Sequence, residues 1–208
     1  MKLFLYSSYL VSSEHSTALA NLIGKESSEI SFAAIPNATD VFADSQEWIE
    51  ESVDSLRHLG SQVEVVDLRN WRDDRMGLRE KLTSNDAIWL CGGHTYYLRW
   101  ILKETGADEM IKELVQQGKV YVGWSAGAIM AGPTLQCFEI FDALQDAPEV
   151  IWDGLGLTNV VVIPHTDLPE FAEGMKSISQ QLNQAGYSTV PLTEAQALII
   201  NGDEQKVI

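Results

Sequence analysis

Apolar residues along the chain gather into short runs at regular intervals. Lys2–Ser7 (KLFLYS), Ile30–Pro36 (ISFAAIP), Val63–Leu68 (VEVVDL), Ala87–Gly92 (AIWLCG), Val120–Gly123 (VYVG) and Val160–Pro164 (VVVIP) read as strands, and Thr189–Leu192 (TVPL) and Ala197–Ile200 (ALII) continue the series. Several of these runs are apolar at almost every position. That is the pattern of strands covered on both faces, as in a parallel sheet. Between the runs, apolar residues recur at helical spacing. Ser45–Leu59 carries Trp48, Ile49, Val53, Leu56 and Leu59 on one face, with Ser45 at the N-cap position. Tyr97–Thr105 and Asp108–Gln117 read as two helices broken at Gly106, Glu170–Ala185 as a helix that stops before Gly186, and a further helix begins near His15. Strand alternating with helix predicts an α/β protein with a mostly parallel sheet and right-handed crossovers. No repeat, low-complexity stretch or linker interrupts residues 1–208, so a single domain is expected. Ligands of such sheets bind just beyond the carboxyl ends of the strands, and those positions are the ones to inspect.

Composition narrows the picture. The 208 residues are 45% hydrophobic and 21% charged, an ordinary globular balance. With 14 basic against 30 acidic residues the formal net charge is −16, which repels phosphate backbones and anionic membrane surfaces. No nucleic-acid or membrane partner is therefore expected. The N-terminal MKLFLYSSYL has one lysine and a broken apolar run, so it reads as a first strand rather than a signal peptide. No run reaches the roughly 18 apolar residues of a membrane span, and a cytoplasmic location is expected. Cys91 and Cys137 both lie in apolar surroundings and do not form a disulfide framework. The histidines are scattered, without H-x-x-x-H or C-x-x-C spacing, and no metal or cofactor is expected.

The chemistry concentrates at Gly123-Trp124-Ser125-Ala126-Gly127, a G-x-S-x-G sequence at the end of a strand. Flanking glycines leave room for a sharp strand-to-helix turn that lifts the serine out of the sheet edge. The first N–H groups of the following helix then lie beside the serine oxygen, where they can stabilise an oxyanion. On its own the pattern also suits a small-residue turn that packs a helix close to a strand.

A serine hydroxyl needs a base. Of the four histidines, His58 falls in a helix of mixed character and His15 near a helix start, and both are expected to be solvated. His165 follows VVVIP and His94 follows CGG, both at carboxyl strand ends. His165 is the expected base. Glu194, after TVPL, is the preferred acid on the same criterion, whereas Asp167, Glu170 and Glu173 lie in a loop or helix expected to face solvent. The order Ser125, His165, Glu194 differs from the Ser…acid…His order of α/β-hydrolases, which would need Asp142, Asp146 or Asp153 as the acid. Cys91-Gly92-Gly93-His94-Thr95 ends another strand, and the N–H of Gly93 is expected to join that of Ala126 in an oxyanion hole. Thr95 is expected to cap the helix that follows. Trp124, His94, Tyr96, Tyr97 and Trp100 are candidates to wall a compact cavity, with Tyr97 and Trp100 placed by their spacing in the core. Cys91, ending an apolar strand, is expected to be buried and inert.

These residues resemble a known family. GWSAGA at 123–128, Gly92-Gly93-His94-Thr95, IPH at 163–165 with LPE at 168–170, and Glu194 after a late strand are similar to peptidase E and its relatives, among them cyanophycinase. The resemblance runs from the first strand almost to the end. It implies a three-layer α/β sandwich similar to class I glutamine amidotransferases, and a Ser-His-Glu triad of Ser125, His165 and Glu194. It further implies an oxyanion hole at Gly93 and Ala126, substrate contacts at His94, Thr95 and Trp124, a small peptide substrate and dipeptidase activity. The same triad would also serve an amidase or esterase, or persist in a non-catalytic binding module. Peptidase E holds its substrate aspartate with an arginine that follows the catalytic histidine. This chain has no arginine after Arg99, so aspartyl specificity does not carry over.

Overall fold

The computed structural model describes residues 1–8, 12–43, 45–58 and 62–208. Strand β1 (Lys2–Tyr6) is followed by α1 (Ser13–Ile23), β2 (Ser31–Ile35), α2 (Ser45–His58), β3 (Gln62–Val65), α3 (Arg75–Ser84) and β4 (Ala87–Leu90). Then come α4 (Thr95–Thr105), α5 (Ala107–Gln116), β5 (Val120–Trp124) and the short α6 (Ala126–Met130). The chain closes with β6 (Val160–Ile163), α7 (Pro169–Gln184), β7 (Ser188–Pro191), β8 (Ala197–Asn201) and β9 (Glu204–Val207). The cap expected at Ser45, the side chains of Trp48 and His58, and Leu59 lie outside what is described.

The main sheet has seven strands in the order β3-β2-β4-β5-β1-β8-β9. The five strands from β3 to β1 are parallel, while β8 runs antiparallel to β1 and β9 antiparallel to β8. With its flanking helices it forms the expected α/β sandwich around a mostly parallel sheet. Burial explains which runs the sequence made conspicuous. Every residue of β4 is buried, as are four of the five in each of β1, β2 and β5. Fully burying one such Leu, Ile or Phe side chain stabilises the fold by about 1.5–3 kcal/mol. The edge strands β3 and β9 are wetter, and β9 (EQKV) is exposed throughout.

One expectation needs correction. VVVI and STVP do not extend the main sheet: β6 and β7 pair in parallel with each other as a separate two-stranded ribbon. The ribbon packs on α7 and α6, and α6 in turn packs on β4, β5 and β1. His165 thus leaves a different sheet from Ser125.

Among the described residues, no helix is long and apolar enough to cross a membrane.

Candidate active site

Because β4, β5 and β1 are adjacent and parallel, their carboxyl ends share one rim. Register places Leu90 opposite Gly123 and Tyr6 opposite Trp124, so the segments after them start side by side. Ser125 leaves β5 with φ 48° and ψ −109°, an uncommon backbone for a residue with a side chain. Its N–H still reaches the Tyr6 carbonyl at 3.0 Å, and its carbonyl accepts from Ala128 and Ile129, which starts α6 immediately. The flanking glycines make this turn possible by close approach. A Cβ on Gly123 would lie 2.4 Å from the Gly127 carbonyl oxygen, and one on Gly127 2.3 Å from that of Leu90. Tyr121, beneath the turn, donates its hydroxyl to the same Gly127 carbonyl at 2.6 Å.

His165 follows β6 with φ 58°, and its Nε2 lies 2.8 Å from Ser125 Oγ. Its Nδ1 lies 2.5 Å from Glu194 Oε1. The three side chains thus stand in hydrogen-bonded series, each partly buried. Asp167, Glu170 and Glu173 are exposed, and none takes the place of Glu194 beside the imidazole. Asp167 has a different part: its Oδ1 accepts the Glu194 N–H at 2.8 Å and holds that backbone in place. The Thr166 N–H meets the Leu192 carbonyl at 3.1 Å, tying the two ribbon ends together.

One residue of the site was missed in the sequence. Ser7, fully buried just after β1, accepts the His165 N–H at 2.6 Å and donates to Glu194 Oε1 at 3.2 Å. It joins the ribbon to the main sheet. The signal was available, since Ser7 ends a strand on the same rim as Ser125, but a serine without flanking glycines does not stand out.

Gly93 has φ 135°, and a Cβ there would lie 2.5 Å from the Ala38 carbonyl oxygen, so only glycine fits. Among the described residues, the N–H groups of Gly93 and Ala126 have no acceptor within the chain. Both residues line a cavity of about 340 Å³ that also exposes Ser125 and His165.

Thr95 and Trp124 line this cavity. Trp124 stacks on Trp89 with ring centroids 6.3 Å apart. His94 does not line it. It is the N-cap of α4, a part expected of Thr95, and its Nδ1 accepts from the Tyr97 N–H while Nε2 lies 3.0 Å from the Ala143 carbonyl. Both ring nitrogens serve the backbone, and the ring is buried. Thr95 instead occupies the first helical position and donates its N–H to Asp142 at 2.8 Å. Tyr96, Tyr97 and Trp100 also lie away from the cavity: Tyr96 donates to the Leu135 carbonyl, and Tyr97 packs on Trp100. The aromatic wall comes from Phe42, Phe138, Phe141 and Phe171, of which Phe171 packs 5.3 Å from the His165 ring. Phe138 and Phe141 belong to an apolar stretch outside any regular strand or long helix, where periodicity carries no signal. His15, expected to be solvated, is buried beside Phe4. Burial lowers its pKa from the usual value. Cys91 is buried, and loss of solvation pushes its thiol up to about 12, so it carries no nucleophilic thiolate. Arg99 is spent on a buried ion pair with Asp108 at 2.9 Å and on the Asp153 carbonyl.

A serine at the rim of the main sheet in hydrogen-bonded series with a histidine and a glutamate of the neighbouring ribbon is the arrangement expected of a serine hydrolase. Relatives agree with that class. The model of peptidase family S51 matches residues 3–208. An uncharacterized peptidase of Listeria monocytogenes is 32% identical over 160 residues, 76% of each chain. Another, of Pasteurella multocida, is 30% identical over 184 residues, 86% of this chain and 84% of its own. The crystal structure of a candidate peptidase E protein from Listeria monocytogenes superposes with a TM-score of 0.85 at 28% identity, covering 100% of this chain and 97% of that one. The chain belongs to peptidase family S51, and it is a peptidase of the serine type.

Proposed function

We propose that the chain hydrolyses small peptides through an acyl-enzyme on Ser125, with His165 as general base and acid and Glu194 as its orienting partner. The observation that carries this reading is the series Ser125 Oγ to His165 Nε2 at 2.8 Å and His165 Nδ1 to Glu194 Oε1 at 2.5 Å. Oγ attacks the peptide carbonyl as its proton passes to Nε2. The carbonyl oxygen takes up negative charge and is held by the N–H groups of Gly93 and Ala126. Collapse breaks the C–N bond, and the departing amine takes the proton from His165. Water then attacks the ester, giving its proton to Nε2. The second collapse returns that proton to Oγ and frees the acid. Each oxyanion donor contributes on the order of 10²–10³ in rate. A cavity of about 340 Å³ lies at the small end of ligand sites and suits one or two residues rather than a folded protein. Thr95 and Trp124 are its substrate contacts.

A fluorophosphonate probe and a panel of dipeptides, amides and esters test this. Wild type is expected to be labelled at Ser125 and to prefer dipeptides, and Ser125→Ala to lose labelling and on the order of 10⁶ in turnover. Peptide cleavage at wild-type rate by Ser125→Ala would remove the assignment.

A further inference from the structure

Among the described residues, Asp142 is the one carboxylate lining the catalytic cavity, and no lysine or arginine of those residues lines it. The remaining walls are largely apolar, with Phe42, Phe138, Phe141, Phe171, Ile129 and Met175. Asp142 is positioned rather than loose. Its Oδ2 accepts the Thr95 N–H at 2.8 Å.

Among the described residues, no lysine or arginine acts on Asp142 from the neighbouring segments. The titratable groups acting on or responding to Asp142 include His94, Asp146 and the Tyr96 hydroxyl. His94 accepts through Nδ1 from the Tyr97 N–H and lies 3.0 Å from the Ala143 carbonyl through Nε2, so both ring nitrogens are engaged by the backbone. Asp146 adds like charge. Burial and that charge both push the Asp142 carboxyl up from the ordinary range, an effect that a bound cation would reverse.

A fixed carboxylate in a largely apolar cavity, with no lysine or arginine among the described residues that line it, fits a positively charged ligand group. We propose that Asp142 is a specificity-determining residue that receives an ammonium group of the peptide. It favours substrates with a free amino group or a basic side chain at the residue to be cleaved. This rests on the peptidase reading of Ser125. The net charge of −16 draws cationic substrates toward the site. An acidic residue at the same place meets like charge.

Leucine and lysine p-nitroanilides, each with a free and an N-acetylated α-amine, separate the two sources of ammonium. A charge-assisted hydrogen bond of the usual strength predicts a loss of about 10–100-fold in kcat/KM when the ammonium is removed. If the α-amine is the ligand, acetylation weakens both substrates. If the side chain is the ligand, N-acetyl-lysine stays good and N-acetyl-leucine is poor. Asp142→Asn keeps an oxygen for the Thr95 N–H but loses the charge, so discrimination is expected to collapse while the unfolding temperature holds. A mere helix-capping role would instead move the unfolding temperature and leave the substrate ratio alone, overturning the proposal. So would equal treatment of all four compounds by wild type.

Fluorophosphonate labelling of Ser125 in the same preparation reports the peptidase reading separately. Calorimetric titration of Ser125→Ala with leucinamide, lysinamide and their N-acetyl forms needs no turnover. Binding that requires an ammonium, and disappears when Asp142→Asn is added, upholds the proposal even where cleavage is absent. Binding indifferent to the ammonium, or no binding at all without discriminating turnover, overturns it.

Discussion

The rim of the main sheet and the end of the β6–β7 ribbon bring their parts of the site together in different ways. Ser125 is held by backbone. Its N–H bonds Tyr6, its carbonyl starts α6, and glycines on either side pack so closely that a methyl group at either would overlap a carbonyl oxygen. His165 and Glu194 stand on the ribbon and are held by side chains, through Ser7 from the main sheet and Asp167 from within their own segment. The nucleophile is thus fixed by the fold, whereas the base and acid are fixed by a few polar contacts. Chemistry should therefore be lost in graded fashion from the ribbon side and abruptly from the sheet side.

Three substitutions sharpen or break that contrast. Glu194→Gln leaves the ribbon backbone in place but takes the charge from beside Nδ1. Loss of the orienting acid in such triads lowers kcat by about 10⁴, and we expect a fall of that order with KM little changed, measured on the best dipeptide. Ser7→Ala removes both hydrogen bonds that the Ser7 hydroxyl makes to the ribbon and leaves the His165 N–H without its partner. We expect kcat to fall about 10²-fold, as for small misplacement of a reacting group, with Ser125 still labelled, only more slowly. Unchanged kcat in Ser7→Ala would mean that the ribbon holds its position without the main sheet. The smallest effect is on stability. The pKa of His15 is depressed by burial, so its contribution is present in full above the ordinary value of about 6.5. As pH falls below that value the unfolded chain takes up the proton first, and the contribution is lost on the way down to the depressed value. Denaturant titration of wild type and His15→Gln between neutral and mildly acid pH should show a steeper loss in wild type.

Legibility in the sequence followed burial. The runs that became β1, β2, β4 and β5 are covered on both faces, and only such strands need to be apolar at nearly every position. The exposed β9 has no apolar alternation, and α3 buries only Leu78 and Leu82 in ten residues, so neither announced itself. The run VVVI is buried throughout and was read as a strand, but a hydrophobic run does not say which sheet it joins. For the site, the G-x-S-x-G pattern singled out Ser125, and inspection of the carboxyl ends of strands singled out His165, Glu194 and Gly93 as its candidate partners. It misassigned His94, because a residue at a strand end is equally a residue at a helix start, and there the imidazole caps α4. It passed over Phe138, Phe141 and Asp142, which lie in irregular structure where position along the chain does not fix direction.

Both reacting side chains, at 125 and 165, sit on left-handed backbone, with φ of 48° and 58°. Each such conformation in a residue other than glycine costs on the order of 1–3 kcal/mol. Glycine would be at ease in either place and would abolish the chemistry. The protein therefore carries a standing conformational burden solely so that an alcohol and an imidazole can face each other, and an inert version of the same chain would be the hardier molecule.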